Sequence, residues 1–304
     1  SNLATKMAKS FILQLASLVT LFVSLPAFIV LLFSLINLQF PDAAESVWQT
    51  ASSHDSIRYT IAVLVIFFPA YLVTTRFVNQ ARRKEGELYH TLTKWLIYLA
   101  LLVGGLVMLG DLATVVYTFL NGELTTRFLL KAVALLLVIG GAFYYYALDA
   151  KDFWRDREKQ SIQIGLVTLL VVFIAAVYGF SSVEAPGAVR EMRIDEEQLV
   201  NLQDMQWRIE TYYQETSSFP ASLEDVYTDF PVPVAPENRD TYTYRITGAG
   251  SYELCATFAA ATPESQRSIA KPIAEPGINL NNYNWEHGAG EKCFSRTAPE
   301  VPTR

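Results

Sequence analysis

The chain has 304 residues, 51% of them hydrophobic, and a net charge of −6 that is unevenly spread. Residues 1–183 carry 14 Lys and Arg against 11 Asp and Glu, whereas residues 184–304 carry 10 against 19. No basic cluster interleaved with aromatics is present, which excludes nucleic acid as an expected partner. A mildly basic apolar half joined to an acidic polar half instead predicts a multi-pass membrane protein carrying a folded aqueous domain.

Five segments are long and apolar enough to cross a hydrocarbon core, which takes about 20 helical residues. They are residues 11–37, 57–78, 95–120, 128–148 and 162–181. The first apolar run is too long for the core of a signal peptide and no small-residue cleavage site follows it, so it reads as a span. In lipid the backbone must satisfy its own hydrogen bonds, which makes each span a helix. Pro26 and Pro69 are expected to kink the first two.

Lys and Arg in the connections set the orientation. Lys6, Lys9, Arg76, Arg82, Arg83, Lys84, Lys94, Lys151, Arg155, Arg157 and Lys159 all fall on one side, while the other connections are poor in them. The N-terminus is therefore expected in the cytoplasm, and five spans carry the acidic C-terminal domain outside the cytoplasmic membrane. Tyr144, Tyr145, Tyr146 and Trp154 read as an interfacial aromatic belt on the cytoplasmic side.

Asp111 is isolated in the third span, where an ionised carboxylate is costly unless paired. Folding the short connection 121–126 into an antiparallel hairpin brings Lys131 or Arg127 toward it. A structural Asp111–Lys131 or Asp111–Arg127 pair, pinning the third helix to the fourth, is the first expectation; a proton or ion relay is the rival one.

The runs Trp95-Leu-Ile-Tyr-Leu-Ala-Leu, Gly110-Asp111-Leu112, Gly122-Glu123-Leu124-Thr125-Thr126-Arg127-Phe128-Leu129-Leu130-Lys131 and Tyr144-Tyr145-Tyr146 are similar to a bacterial four-helix membrane domain. That domain is known as domain of unknown function 5671. The resemblance covers about residues 10–150; it implies four membrane helices and a bacterial origin, and brings no activity with it.

Beyond the fifth span, residues 184–187 (Glu-Ala-Pro-Gly) make a break. Asp195 with Gln198 has the form of a capping-box helix start. From there Leu199, Leu202, Met205 or Gln206, Ile209, Tyr212 and Tyr213 recur at helical spacing, giving one apolar stripe for packing on a sheet. Residues 222–226 form one further helical turn. Tyr242, Tyr244 and Ile246, then Tyr252, Leu254, Ala256 and Phe258, alternate with polar residues across a turn at 247–251, which predicts a β-hairpin with one buried face. Residues 293–295 supply a short return strand.

Cys255 and Cys293 are the only cysteines, both on the side read as external, and an even pair in an oxidising compartment predicts a disulfide. Metal binding is not expected, because His287 is the domain's only histidine, and no cofactor is expected either. Adjacent carboxylates such as Glu196/Glu197 and Glu224/Asp225 do not share a helix face, so no catalytic constellation is expected.

The order of pieces Gln206-Trp207-Arg208-Ile209-Glu210-Thr211-Tyr212-Tyr213, Phe219-Pro220-Ala221-Ser222-Leu223, Tyr242-Thr-Tyr-Arg-Ile and Tyr252-Glu-Leu-Cys255-Ala is similar to the head of type IV pilins and type II secretion pseudopilins. The head spans about residues 190–296. The resemblance implies a helix packed on a β-meander, with pilus, secretion or envelope proteins as partners. This chain departs from a pilin in having its stem as the fifth of five spans, with no Glu in it.

The architecture expected is therefore an α-helical polytopic membrane domain of five transmembrane helices plus a small α+β extracellular domain. It divides into four transmembrane helices (1–150), a cytoplasmic loop, fifth helix and linker (151–187), and the pilin-like domain (188–304). The expected role is a non-enzymatic, membrane-anchored one, contacting the lipid bilayer and other proteins or self-associating. The alternative is a transporter, a channel or an accessory subunit of one.

Overall fold

The structure is a computed structural model that describes residues 2–41, 47–84, 87–122, 125–263 and 280–298. The chain divides into two compact units, Ser1–Val183 and Glu184–Arg304.

The first unit is helical, with α1 (Asn2–Gln39), α2 (Val47–Lys84), α3 (Glu87–Leu120), α4 (Thr126–Ala150) and α5 (Glu158–Ser181). Among the described residues, five helices are long and apolar enough to cross a membrane. At 38 residues each, α1 and α2 are about 57 Å long, well beyond the hydrocarbon thickness. Their polar ends carry the helix past the apolar runs read from the sequence. Both helices continue through Pro26 and Pro69. The tip of the α3–α4 hairpin, Glu123 and Leu124, lies outside the described residues.

The main packing in this unit is α1 against α2, with Phe28, Leu31, Ile57, Leu64 and Phe68 buried and Val172 of α5 joining them. At Gly179 α5 approaches closely: an added Cβ would lie 3.1 Å from Leu31 and 3.3 Å from both Ile57 and Ile61. A small residue lets the helices meet there. By packing, α5 belongs with the other four helices rather than with a linker.

The second unit begins with α6, Pro186–Thr216. Pro186 occupies the first helical turn, where its missing N–H costs nothing. The helix thus starts nine residues before Asp195, and the expected capping box there does not exist. The capping box instead lies at Ser222 and Asp225, heading the short 3₁₀ turn Leu223–Val226. Strands β1 (Thr243–Gly248), β2 (Ser251–Phe258) and β3 (Gly290–Thr297) form an antiparallel meander in the order β1-β2-β3. The β1–β2 turn is tight, with Gly248 opposite Ser251.

Leu202, Met205 and Ile209 of α6 pack on Tyr252, Leu254, Ala256 and Phe258 of β2 and on Phe294 of β3, the stripe and face expected from the periodicity. Ile246 departs from that pattern: it lies near the hairpin tip and is exposed. The helix also buries three polar side chains, Asp195, Gln198 and Gln206. Gln198 donates to the Thr257 carbonyl at 2.9 Å and Gln206 to the Asn282 carbonyl at 3.0 Å, while Gln198 Oε1 has no hydrogen-bond partner among the described residues.

Candidate functional site

Around the middle of α6, three segments bring together the side-chain types that dominate binding surfaces. Trp207 and Arg208 come from α6, Tyr227 follows the 3₁₀ turn, and Phe230 lies in the proline-containing loop after it. The Arg208 guanidinium carbon is 4.4 Å from the Tyr227 ring centre, 5.9 Å from Phe230 and 6.0 Å from Trp207, all within cation–π range. Trp207 and Phe230 are 63% and 64% exposed, which buried packing does not explain.

Asp204, one helical turn before Arg208, orders this cluster. Arg208 Nε donates to its carboxylate at 3.0 Å, and the Tyr227 hydroxyl donates to the same oxygen. Burial, and then this hydrogen bond, push the Tyr227 phenol above its ordinary range, so it stays a donor. The result is a positioned arginine ringed by aromatics with two indole- and phenyl-sized surfaces facing water. The sequence alone does not mark this cluster, because Tyr227 and Phe230 reach Arg208 only through the fold of the intervening loop.

Behind this surface the domain is held by charge-assisted bonds. Arg239 donates to Glu191 at 2.6 Å and to Asp195 at 3.1 Å. Asp195 also accepts from the backbone N–H groups of Ala259 and Ala260 at 3.0 Å. Arg296 of β3 is buried, and burial brings its guanidinium down to about 10. It donates to Gln206 at 2.7 Å and to the Asn284 carbonyl at 3.0 Å, tying α6 to the loop before β3.

Cys255 and Cys293 sit opposite each other on β2 and β3 and are joined in a disulfide. Much of the loop between them, residues 264–279, lies outside the described residues. Glu253, Cys255 and Cys293 are near enough to one another to suggest a metal site, but the disulfide occupies both sulfurs and leaves one carboxylate. His287 stacks on Phe258 with ring centres 3.8 Å apart, which accounts for its burial.

In the helical unit, no ion pair joins Asp111 to Arg127 or Lys131 among the described residues. Arg127 Nε donates to Asn37 Oδ1 at 2.7 Å, and Lys131 Nζ lies 5.7 Å from the centre of the Phe33 ring. Both contacts are to α1. Because α4 packs on α1 as well as on α3, its basic residues turn to that neighbour.

Among the described residues, Arg58 pairs with Asp55 within α2, and the ion pairs that join different segments of this unit collect at the arginine-rich end. Arg82 of α2 donates to both carboxylate oxygens of Asp149 on α4, at 3.0 and 3.1 Å, with both side chains largely buried. Lys94 pairs with Asp152 at 2.8 Å, and Arg83 with Glu158 at 2.5 Å. Two of the three tyrosines expected in an interfacial belt turn inward. The Tyr146 and Tyr71 hydroxyls share a hydrogen bond of 2.8 Å, and Tyr145 shares one of 2.8 Å with Ser161. Only Tyr144 is exposed, because successive helix residues point about 100° apart. Trp154 is buried, stacked on Tyr145 and donating to its carbonyl at 3.1 Å.

Residues 10–145 match the model of a family described as Domain of unknown function (DUF5671). The match covers most of α1, all of α2 and α3, and most of α4; α5 and the second unit lie beyond it. No curated protein and no solved structure matches the chain.

Proposed function

We propose that this protein is a non-enzymatic membrane anchor that presents its C-terminal α+β domain outside the cytoplasm for binding to another protein. The observation that carries this reading is the exposed Trp207–Phe230 surface around Arg208. Leaving an indole and a phenyl ring in water forgoes stabilisation that burial against a partner would recover. The sidedness rests on the eleven Lys and Arg that gather on one side of the spans. The disulfide supports it, since such bonds persist in oxidising compartments.

The partner class follows from likeness. A helix, a Phe219-Pro220-Ala221-Ser222-Leu223 loop and a three-stranded meander, in that order, are similar to the head of pilins and pseudopilins. Pilus, secretion or envelope components are accordingly the partners proposed. Because the stem joins four other helices, the head would be a fixed dock for such components and not a subunit that leaves the membrane.

Photo-crosslinking from position 207 of the full chain in its native cells should trap a discrete protein. The double variant Trp207→Ala, Phe230→Ala should lose that protein in co-purification while keeping its thermal stability. Equal co-purification with both chains would sink the assignment. A cysteine placed at the exposed Ser218 should be labelled in intact cells by a membrane-impermeant reagent; labelling only after lysis would reverse the orientation.

A further inference from the structure

The helical unit contains a second candidate site. Helix α5 packs on α1 and α2, α4 packs on α1 and α3, and between α4 and α5 lies a cleft of about 530 Å³. Its floor is α1 and α2, and it has the volume of a small-molecule site. Gly141 of α4 and Gly165 of α5 both line it, and an added Cβ on either would meet nothing within 4 Å. Small residues normally allow membrane helices to close on each other, yet here the space stays open.

The two ends of the cleft differ in chemistry. Its deep part is walled by Phe28, Leu64, Phe68, Leu137 and Val172. Its mouth, at the arginine-rich end, carries Arg76 and Arg83 against the single carboxylate Glu158, with ion-pair distances of 3.5 and 2.5 Å. The mouth therefore keeps one positive charge in excess. Arg76 is about half exposed, so an incoming anion can reach its guanidinium.

Depth points to the occupant. From Ile162 to Val172 the lining of α5 rises about 15 Å, half of a hydrocarbon core about 30 Å thick. That matches one acyl chain of one leaflet, with its headgroup level with the two guanidinium groups. Arginine forks suit phosphate oxygens.

We propose that the α4–α5 cleft is a binding site for an anionic phospholipid, one acyl chain lying along Gly141 and Gly165 and the phosphate held by Arg76 and Arg83.

Native mass spectrometry of the detergent-purified full chain, titrated with dioleoyl phosphatidylglycerol or dioleoyl phosphatidylcholine, tests this. One phosphatidylglycerol should be retained at least about tenfold more tightly than phosphatidylcholine, the difference one charge-assisted contact supplies. The Arg76→Gln, Arg83→Gln variant should bring the two lipids to equal retention. The Gly141→Leu, Gly165→Leu variant should lose the bound lipid at unchanged helix content and thermal stability, since the added side chains enter open space. Gly104→Leu on α3, also in open space but outside the cleft, should retain it. Equal retention of the two lipids by the parent, or retention that survives filling the cleft, would overturn the proposal. So would a stable dimer crosslinked through a Gly141→Cys, Gly165→Cys variant, which would make a second copy the occupant.

Discussion

Asp195→Ala separates two roles that one carboxylate can play in α6. As a helix cap, Asp195 would satisfy N–H groups of its own first turn, and Ser or Asn would replace it with little loss. In the structure it stands inside the helix and reaches across to Ala259, Ala260 and Arg239. Removing both partners' acceptor in a fully buried ion pair costs about 3–5 kcal/mol. Two features reduce that figure here. Arg239 keeps Glu191 at 2.6 Å, and Ala259 is exposed, so water can take up its N–H. Alanine also gains roughly 0.5 kcal/mol of helix propensity over aspartate. A net loss of about 2 kcal/mol remains. With a urea dependence of about 2 kcal/mol per molar, the unfolding midpoint of the second unit should fall by about 1 M. Pulse proteolysis of the full chain in nanodiscs across a urea series reads that midpoint. Asp195→Ser should fall nearly as far, since a hydroxyl on a shorter side chain cannot serve all three donors. Glu197→Ala, two residues on and on the exposed face, should stay within about 0.5 kcal/mol of the parent. Parental stability in Asp195→Ser would refute the role of Asp195 as the acceptor that ties α6 to Arg239 and to the end of β2.

Three further outcomes follow from the packing. The Cys255→Ser, Cys293→Ser pair removes a crosslink between residues 38 apart and should cost the second unit about 3–4 kcal/mol by the chain-entropy model, read by the same proteolysis; parental stability would show that the strand pairing alone suffices. Gly179→Leu forces a side chain into Leu31, Ile57 and Ile61 and should cost about 1–3 kcal/mol in thermal unfolding of the full chain, whereas Gly165→Leu, in open space, should cost little. Arg82→Ala leaves Asp149 largely buried without its guanidinium and should lower stability by about 3 kcal/mol, with Arg82→Lys recovering part of it; an unchanged melting temperature would mean that water already solvates the pair.

Much of the architecture was legible because lipid leaves the chain little choice. A span must be helical and apolar over about 20 residues, and such runs are visible without any knowledge of tertiary contacts. The meander was equally plain, since Tyr252, Leu254, Ala256 and Phe258 alternate on the strand that the core buries. Capping was less plain. Asp195 and Gln198 have the spacing of a helix start, but a carboxylate inside a helix has the same local appearance as one at its end. Only the position of Ala259 and Ala260 tells them apart. Folding a hairpin in two dimensions suggests Asp111 beside Lys131 or Arg127 but says nothing of α1, where Arg127 meets Asn37 and Lys131 lies near Phe33. The Trp207–Arg208–Phe230 surface and the α4–α5 cleft had no local signal at all. Both are made by residues far apart in the chain, and both depend on what the fold leaves uncovered.

The cleft also has a physical cause in how membrane helices associate. Lipid tails are as apolar as the side chains they face, so little hydrophobic force draws two such helices together; close packing and polar contacts do so. In this bundle those contacts lie at opposite ends of α5. Gly179 meets Leu31 and Ile57 at one end, while Ser161 meets Tyr145 and Glu158 meets Arg83 at the other. Between them α5 presents Gly165, Thr168 and Leu169 toward the cleft, and no polar bond joins any of the three to α4 among the described residues. Thr168 turns its hydroxyl back to the Ile164 carbonyl of its own helix at 2.8 Å. A helix whose middle packs on α1 and α2 through Val172 but has no polar bond drawing it toward α4 leaves a gap on that side, and in a bilayer the nearest material to fill that gap is an acyl chain.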